Sequence, residues 1–250
     1  MTALRKADSP ATAGNEQTGL LKIIALACMV IDHVGQVFFP QIVEMRLIGR
    51  MAFPLYAWCL VVGADYTRSP ARYALRLLAV GALSQPLYAL AFHLPWQDLN
   101  IFFGLLMGLL GIIALREQRW GSQFWGPVLA VLTGCALKID YDWRGILLIL
   151  LMYGCRKSRG GLAALMTAFC LFWSQTSTPF STLLGVPVTG RWALFPYGNQ
   201  LFFAFCRLQF WAILALPLML IPMKSRLRLP KWAYYAAYPA HLLLIVLLRR

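Results

Sequence analysis

Long apolar segments recur from one end of this chain to the other, and short clusters of Lys and Arg separate them. No other feature narrows the fold as much. A helix needs about 20 mostly apolar residues to cross a bilayer, whereas outer-membrane strands would show alternating segments of about ten residues, a pattern absent from this sequence. Read between charge clusters, the spans fall at 21–39, 47–66, 73–94, 99–115, 124–138, 144–155, 162–174, 201–222 and 232–248. That reading has nine spans, with eight or ten allowed by soft boundaries, since the fifth to seventh are shorter than a crossing helix. With 60% hydrophobic and 13% charged residues over 250 positions, the chain carries more apolar surface than one soluble core of that size buries. The expected class is all-α: a polytopic transmembrane helical bundle over residues 21–250, preceded by a disordered cytoplasmic tail, 1–20, which is polar and lacks a signal peptide's apolar core.

Charge then sets the expected orientation. A net charge of +14 would suit nucleic acid, but the basic residues sit in short groups between apolar runs, where orientation in a membrane explains them and no nucleic-acid partner is expected. A cytoplasmic N-terminus puts Arg68, Arg72 and Arg76, Arg116 and Arg119, Arg156, Lys157 and Arg159, and Lys224, Arg226, Arg228 and Lys231 on the inner side of the membrane. Arg249 and Arg250 fall on the outer side, a misfit that a re-entrant element within 175–199 would repair. The six cysteines, at 28, 59, 135, 155, 170 and 206, lie in or beside apolar runs without metal-ligand spacing, so no metal is expected. "GLLMGLLG" (104–111) has the small-xxx-small pattern of close helix packing.

Ionisable residues inside spans are costly and usually face a cavity or a partner. "MVIDHVGQVFF" (29–39) holds two of them, Asp32 and His33, in a chain with 9 acidic residues and 3 histidines. Successive helical residues point about 100° apart, so Asp32 does not orient His33 as a dyad. A neutral imidazole takes a proton near physiological pH, which makes His33 the leading catalytic candidate; pairing with neighbouring helices is the plainer role for either residue. Lys22 stands eleven positions before His33, on the same helix face and about 16 Å lower, where it either holds a phosphate-bearing ligand or merely snorkels. Arg50, on a face shared with Arg46, pairs with Asp32, stabilises developing negative charge, or is an ordinary interfacial arginine beside Glu44. Asp140 and Asp142 in "DYDWRG" are candidates to hold a substrate amine, and His241, after Tyr234 and Tyr238 on one stripe, is a secondary candidate for the acceptor site or a structural histidine.

Four runs, "LLKIIALACMVIDH" (20–33), "LIGRMAFPLYAW" (47–58), "DYDWRGILLILLMYG" (140–154) and "YYAAYPAHL" (234–242), resemble the TraX family of integral membrane enzymes that N-acetylate conjugative pilin. They span nearly the whole chain in that order. The family is similar to a wider group of transmembrane acyltransferases in which a basic residue, usually Arg, precedes a first-helix His by ten intervening residues; Lys22 and His33 match with Lys in its place.

The resemblance implies an acyltransferase-like bundle with acetyl-CoA entering from the cytoplasm and a pilin, or similar exported protein, arriving from the periplasmic side among membrane lipids. His33, Asp32 and Arg50 would then be catalytic, Lys22, Arg68, Arg72 and Arg76 would hold CoA, and Asp140, Asp142 and His241 would border the acceptor. Two other readings use the same residues: acyl transfer to a hydroxyl of a surface glycan, and a non-catalytic membrane protein of pilus assembly.

Overall fold

Proline, glycine and asparagine punctuate a chain that is otherwise helical. In the computed structural model residues 12–188, 198–223, 227 and 229–249 are described. Helix α1 (Thr18–Phe38) stops two residues before Pro40, whose ring disfavours helical backbone just ahead of it. A short α2 (Val43–Gly49) returns along α1 and runs, after a two-residue turn at Arg50 and Met51, into α3 (Ala52–Tyr66). Helix α4 (Pro70–Phe92) opens on the proline that suits a first helical turn and closes on a left-handed His93. The α5 helix (Ile101–Glu117) begins at Asn100, whose side chain accepts the Phe102 N–H at 3.0 Å. Then follow α6 (Ser122–Ala136), α7 (Asp142–Cys155), α8 (Arg159–Ser174), α9 (Gly198–Phe205), a 3₁₀ segment 208–214 leading into α10 (Ala215–Leu220), and α11 (Lys231–Leu248).

Successive passes run between two faces. On the first, Tyr234 of α11 donates to the Gly19 carbonyl at 3.1 Å, Arg116 to Ala64 at 2.9 Å, and Arg159 to Leu220 at 2.7 Å, while Arg156 meets the Asp65 carboxylate at 2.8 Å. On the second, Leu99 donates to the Lys138 carbonyl at 2.7 Å and Phe180 to that of Cys206 at 2.9 Å. At the centre lies α3, apolar on all sides, with Phe53, Leu55, Ala57, Trp58 and Val61 sealed from solvent, as suits a helix surrounded by others. The small-residue run in α5 does bring helices close: a Cβ on Gly108 would lie 2.7 Å from Ile149 of α7.

The all-α class holds, and the only strands among the described residues are the pair Thr182–Leu183 and Val186–Pro187. Three helical stretches are long and apolar enough to cross a bilayer alone, Thr18–Phe38, Val43–Tyr66 and Pro70–Phe92. The other passes are shorter, so the membrane character rests on these three rather than on nine equal spans. In 175–199, where a re-entrant element was expected, residues 182–187 form a β-hairpin turning through left-handed Leu184 and Gly185, and 189–197 lie outside the described residues. The misplaced Arg249 is instead held on the second face, donating at 2.7 Å to the Ala91 carbonyl near the end of α4, where helix carbonyls attract cations. Within the expected tail, residues 12–17 are packed rather than loose: Asn15 is fully buried, takes the Trp58 indole N–H at 2.8 Å on its carbonyl and donates its amide to Leu218 at 3.1 Å.

Candidate functional site

The 100° step between neighbours on α1 sends Asp32 and His33 to different partners. Asp32, 5% exposed, turns toward α2. Its two carboxylate oxygens take Arg50 at 2.5 Å and Arg46 at 3.0 Å, and Arg46 also reaches the Gln36 amide oxygen at 2.7 Å. This closeness depends on Gly49, where any Cβ would collide with the Asp32 side chain. Arg50 lies over the Tyr141 ring at 5.9 Å, and that ring stacks on Phe53 with centroids 4.3 Å apart. One guanidinium nitrogen of Arg50, Nε, is buried without a hydrogen-bond partner among the described residues.

His33 turns the other way, toward α4 and α11. Its Nδ1 is 2.8 Å from Nε2 of His241, and its ring meets that of Phe92 in a T-shaped contact with centroids 4.8 Å apart. The packing of α11 on both α1 and α4 makes this meeting of residues 208 positions apart possible. His241 is 9% exposed and its other nitrogen, Nδ1, lies 3.0 Å from the Ala237 carbonyl one turn back. His33 remains partly exposed.

The loop between α6 and α7 closes the second face beside Arg50. Burial pushes the Asp140 carboxyl up to about 6, with Arg50 opposing the rise and Asp32 adding to it. Asp140 thus belongs electrostatically to the Asp32–Arg50 cluster. Asp142 does not: its carboxylate is taken by Arg144 two residues on.

A cavity of about 340 Å³ opens near the first face. Lys22 and Arg76 line it, with Lys22 5.6 Å over the Tyr234 ring and Arg76 5.6 Å over that of Tyr73. It runs between α1, α3, α4, α5 and α11 as far as Met29, Phe102 and Tyr238. Met29 precedes His33 by one turn, and the Tyr238 ring touches the His241 ring at 5.2 Å. The cavity thus holds Lys22 but not His33: on the side of the histidine pair it is bounded by Tyr238, which is 3% exposed. Arg68 and Arg72 are exposed and do not line the cavity.

Comparison with known proteins places the chain in a family. The family model described as TraX protein matches residues 17–249. The chain belongs to the TraX family. Among TraX-like relatives, Protein TraX of Escherichia coli is 30% identical over 159 residues, 62% of this chain and 62% of that protein. A probable fimbrial assembly protein FimC, serogroup H1, of Dichelobacter nodosus is 30% identical over 135 residues, 48% of this chain and 55% of its own length. An uncharacterized protein of Rickettsia prowazekii, RP591, is 26% identical over 170 residues, 66% of each. This TraX-family chain thus spans 55% to 66% of these curated relatives. No solved structure matches it.

Sequence reading alone missed three things at the candidate site of this TraX-family chain. Arg46 shares Asp32 with Arg50, which the four-residue spacing allowed but did not require. Tyr141 lies under Arg50, a contact that no spacing in the sequence signals. Tyr56, Tyr73 and Tyr235 line the cavity together with Tyr234 and Tyr238; only the stripe at 234, 238 and 241 carried a signal, being spaced one turn apart.

Proposed function

We propose that this chain is a membrane-bound acetyltransferase that moves an acetyl group from acetyl-CoA to the N-terminal amine of a pilin subunit. The observation that carries this reading is a cavity with basic residues near one face whose lining reaches Met29, one helical turn before the half-buried His33, and Tyr238, whose ring packs against His241. Family membership and the fimbrial-assembly name of the Dichelobacter nodosus relative support it. The first face, with Arg68, Arg72, Arg76, Arg116, Arg156 and Arg159, is then cytoplasmic by the positive-inside rule, the membrane is the bacterial inner membrane, and the shorter helices complete nine passes.

Lys22 and Arg76 fit the phosphates of the donor, and the tyrosines fit an arm that is partly polar and partly apolar. Acetyl-CoA supplies an activated thioester. The acceptor nitrogen bonds to the thioester carbon, the carbon–sulfur bond breaks, and the proton shed by the amine passes to His33 and then to the departing sulfur. A general base of this kind is worth about 10² to 10⁴ in rate. The unpartnered Nε–H of Arg50 is a donor available to developing negative charge, while Asp32 and Tyr141 hold that guanidinium in place. Asp140 borders the side from which the acceptor arrives, and holding both reactants in one site supplies much of the remaining rate.

Intact-mass measurement of pilin from cells with and without the gene tests the reading. Loss of one acetyl mass from the pilin N-terminus only when the gene is absent is expected. An unchanged pilin with a changed acyl content of surface glycan would assign the transfer to a hydroxyl instead; no change in either, with pili lost, would make the chain a non-catalytic assembly protein.

A further inference from the structure

The two histidines are arranged so that their hydrogen bonds choose a tautomer. A carbonyl oxygen only accepts, so the Ala237 carbonyl, 3.0 Å from Nδ1 of His241, requires that nitrogen to carry a hydrogen. In the neutral pair, Nε2 of His241 is then a lone pair. The 2.8 Å contact with Nδ1 of His33 can be made only if His33 supplies the hydrogen. His33 is left with its lone pair on Nε2, the nitrogen farther from its own backbone. Free histidine favours the opposite tautomer, with hydrogen on Nε2 and none to spare for His241.

We propose that His241 is a positioning residue: through the chain Ala237 carbonyl, His241, His33 it holds His33 as the Nδ1–H tautomer, so that Nε2 is the atom that receives a proton. When Nε2 takes one, the Nδ1–H donated to His241 strengthens, because a charged donor bonds more tightly than a neutral one. His241 thus plays toward His33 the orienting part that a carboxylate plays in a catalytic triad, a part that Asp32, turned to Arg50 and Arg46, does not fill. Its place is with the proton-accepting group rather than with the acceptor substrate. Among the described residues the pair also makes ring contacts with Phe92 of α4 and Tyr238 of α11, and the charges of Arg46 and Arg50 act on His33.

The assignment of Nε2 as the reacting nitrogen rests on the acetyltransferase reading, but the tautomer is measurable without it. The chain has 3 histidines, and His93 is exposed at a helix end. Full-length H93N protein labelled with ¹⁵N-histidine therefore reports only the pair, and H93N/H33Q assigns each ring. Expected at neutral pH are a hydrogen on Nδ1 of His33 and an unprotonated Nε2. A hydrogen on Nε2 of His33 in the otherwise unaltered protein would overturn the proposal. In activity, H241L, which cannot accept from His33, should lower kcat by about a hundredfold or more with KM little changed. H241Q, whose amide oxygen accepts in place of the ring nitrogen, should recover most of that loss; equal loss in both variants would reduce His241 to packing. An Nδ1–H tautomer in a protein that transfers no acetyl group would refute the functional reading and leave the tautomer standing.

Discussion

The Asp32 carboxylate and the Arg50 guanidinium meet at 2.5 Å in the interior of the bundle, with Arg46 on the second carboxylate oxygen at 3.0 Å. Removing one partner of a buried pair leaves an uncompensated charge, at a cost of about 3–5 kcal/mol. In D32N two guanidiniums would face each other with no carboxylate charge between them. The expected result is a large fall in unfolding midpoint in detergent for D32N and a smaller one for the double variant D32N/R50Q. A loss in D32N/R50Q equal to the sum of the losses in D32N and R50Q alone would mean that the pair is not coupled.

Gly49 sits where α2 crosses α1 against Asp32, and G49A forces a methyl group into that carboxylate. Overpacking of this sort costs roughly 1–3 kcal/mol. G154A is the control, since nothing lies within 4 Å of a Cβ there and alanine in a helix is favoured by about 0.5–1 kcal/mol. Thermal unfolding should rank G154A at or above the parent and G49A clearly below it. The reverse order would contradict the close approach.

Asp140 gives the protein a pH dependence of predictable sign. Its carboxyl, at about 6 in the folded protein, stands above the value of about 4 for an unfolded chain, so the folded state binds the proton more tightly. Stability from this group is present below about 4 and is lost as pH rises to about 6, by at most about 3 kcal/mol. Unfolding midpoints measured from pH 4 to pH 8 should show a decline that D140N flattens. A slope unchanged in D140N would assign it to other groups.

The four basic residues expected to hold CoA divide by position. Lys22 and Arg76 line the cavity, whereas Arg68 and Arg72 do not. A charge-assisted contact to phosphate contributes about 1.5–3 kcal/mol, so K22A and R76A should each raise the KM for acetyl-CoA by roughly ten- to a hundredfold with kcat little changed. R68A and R72A should leave it within about twofold. Equal effects at all four positions would mean a diffuse electrostatic surface rather than a site.

Much of this was readable along single helices. The divergence of Asp32 and His33 follows from one rotation per residue, the shared face of Arg46 and Arg50 from their spacing of four, and the membrane character from apolar length. What was not readable depends on which helices touch. His33 and His241 meet only because α11 lies against both α1 and α4, a relation between segments 208 residues apart that no local pattern encodes. Asn15 looked like part of a solvated tail because polarity alone says nothing of the Trp58 indole and Leu218 carbonyl that satisfy it. Tyr238 read as one member of a polar stripe; its standing between the cavity and the histidine pair required Phe102 on its other side, at 4.9 Å between ring centroids.

The central claim, that His33 handles the proton in acetyl transfer, is met most directly by purified protein given acetyl-CoA and a peptide carrying a mature pilin N-terminus, with product followed by mass. The parent protein should add one acetyl group to the α-amine, and H33Q, shown to be folded by an unchanged unfolding midpoint, should add none above background. Transfer by H33Q at the parent rate would contradict the account.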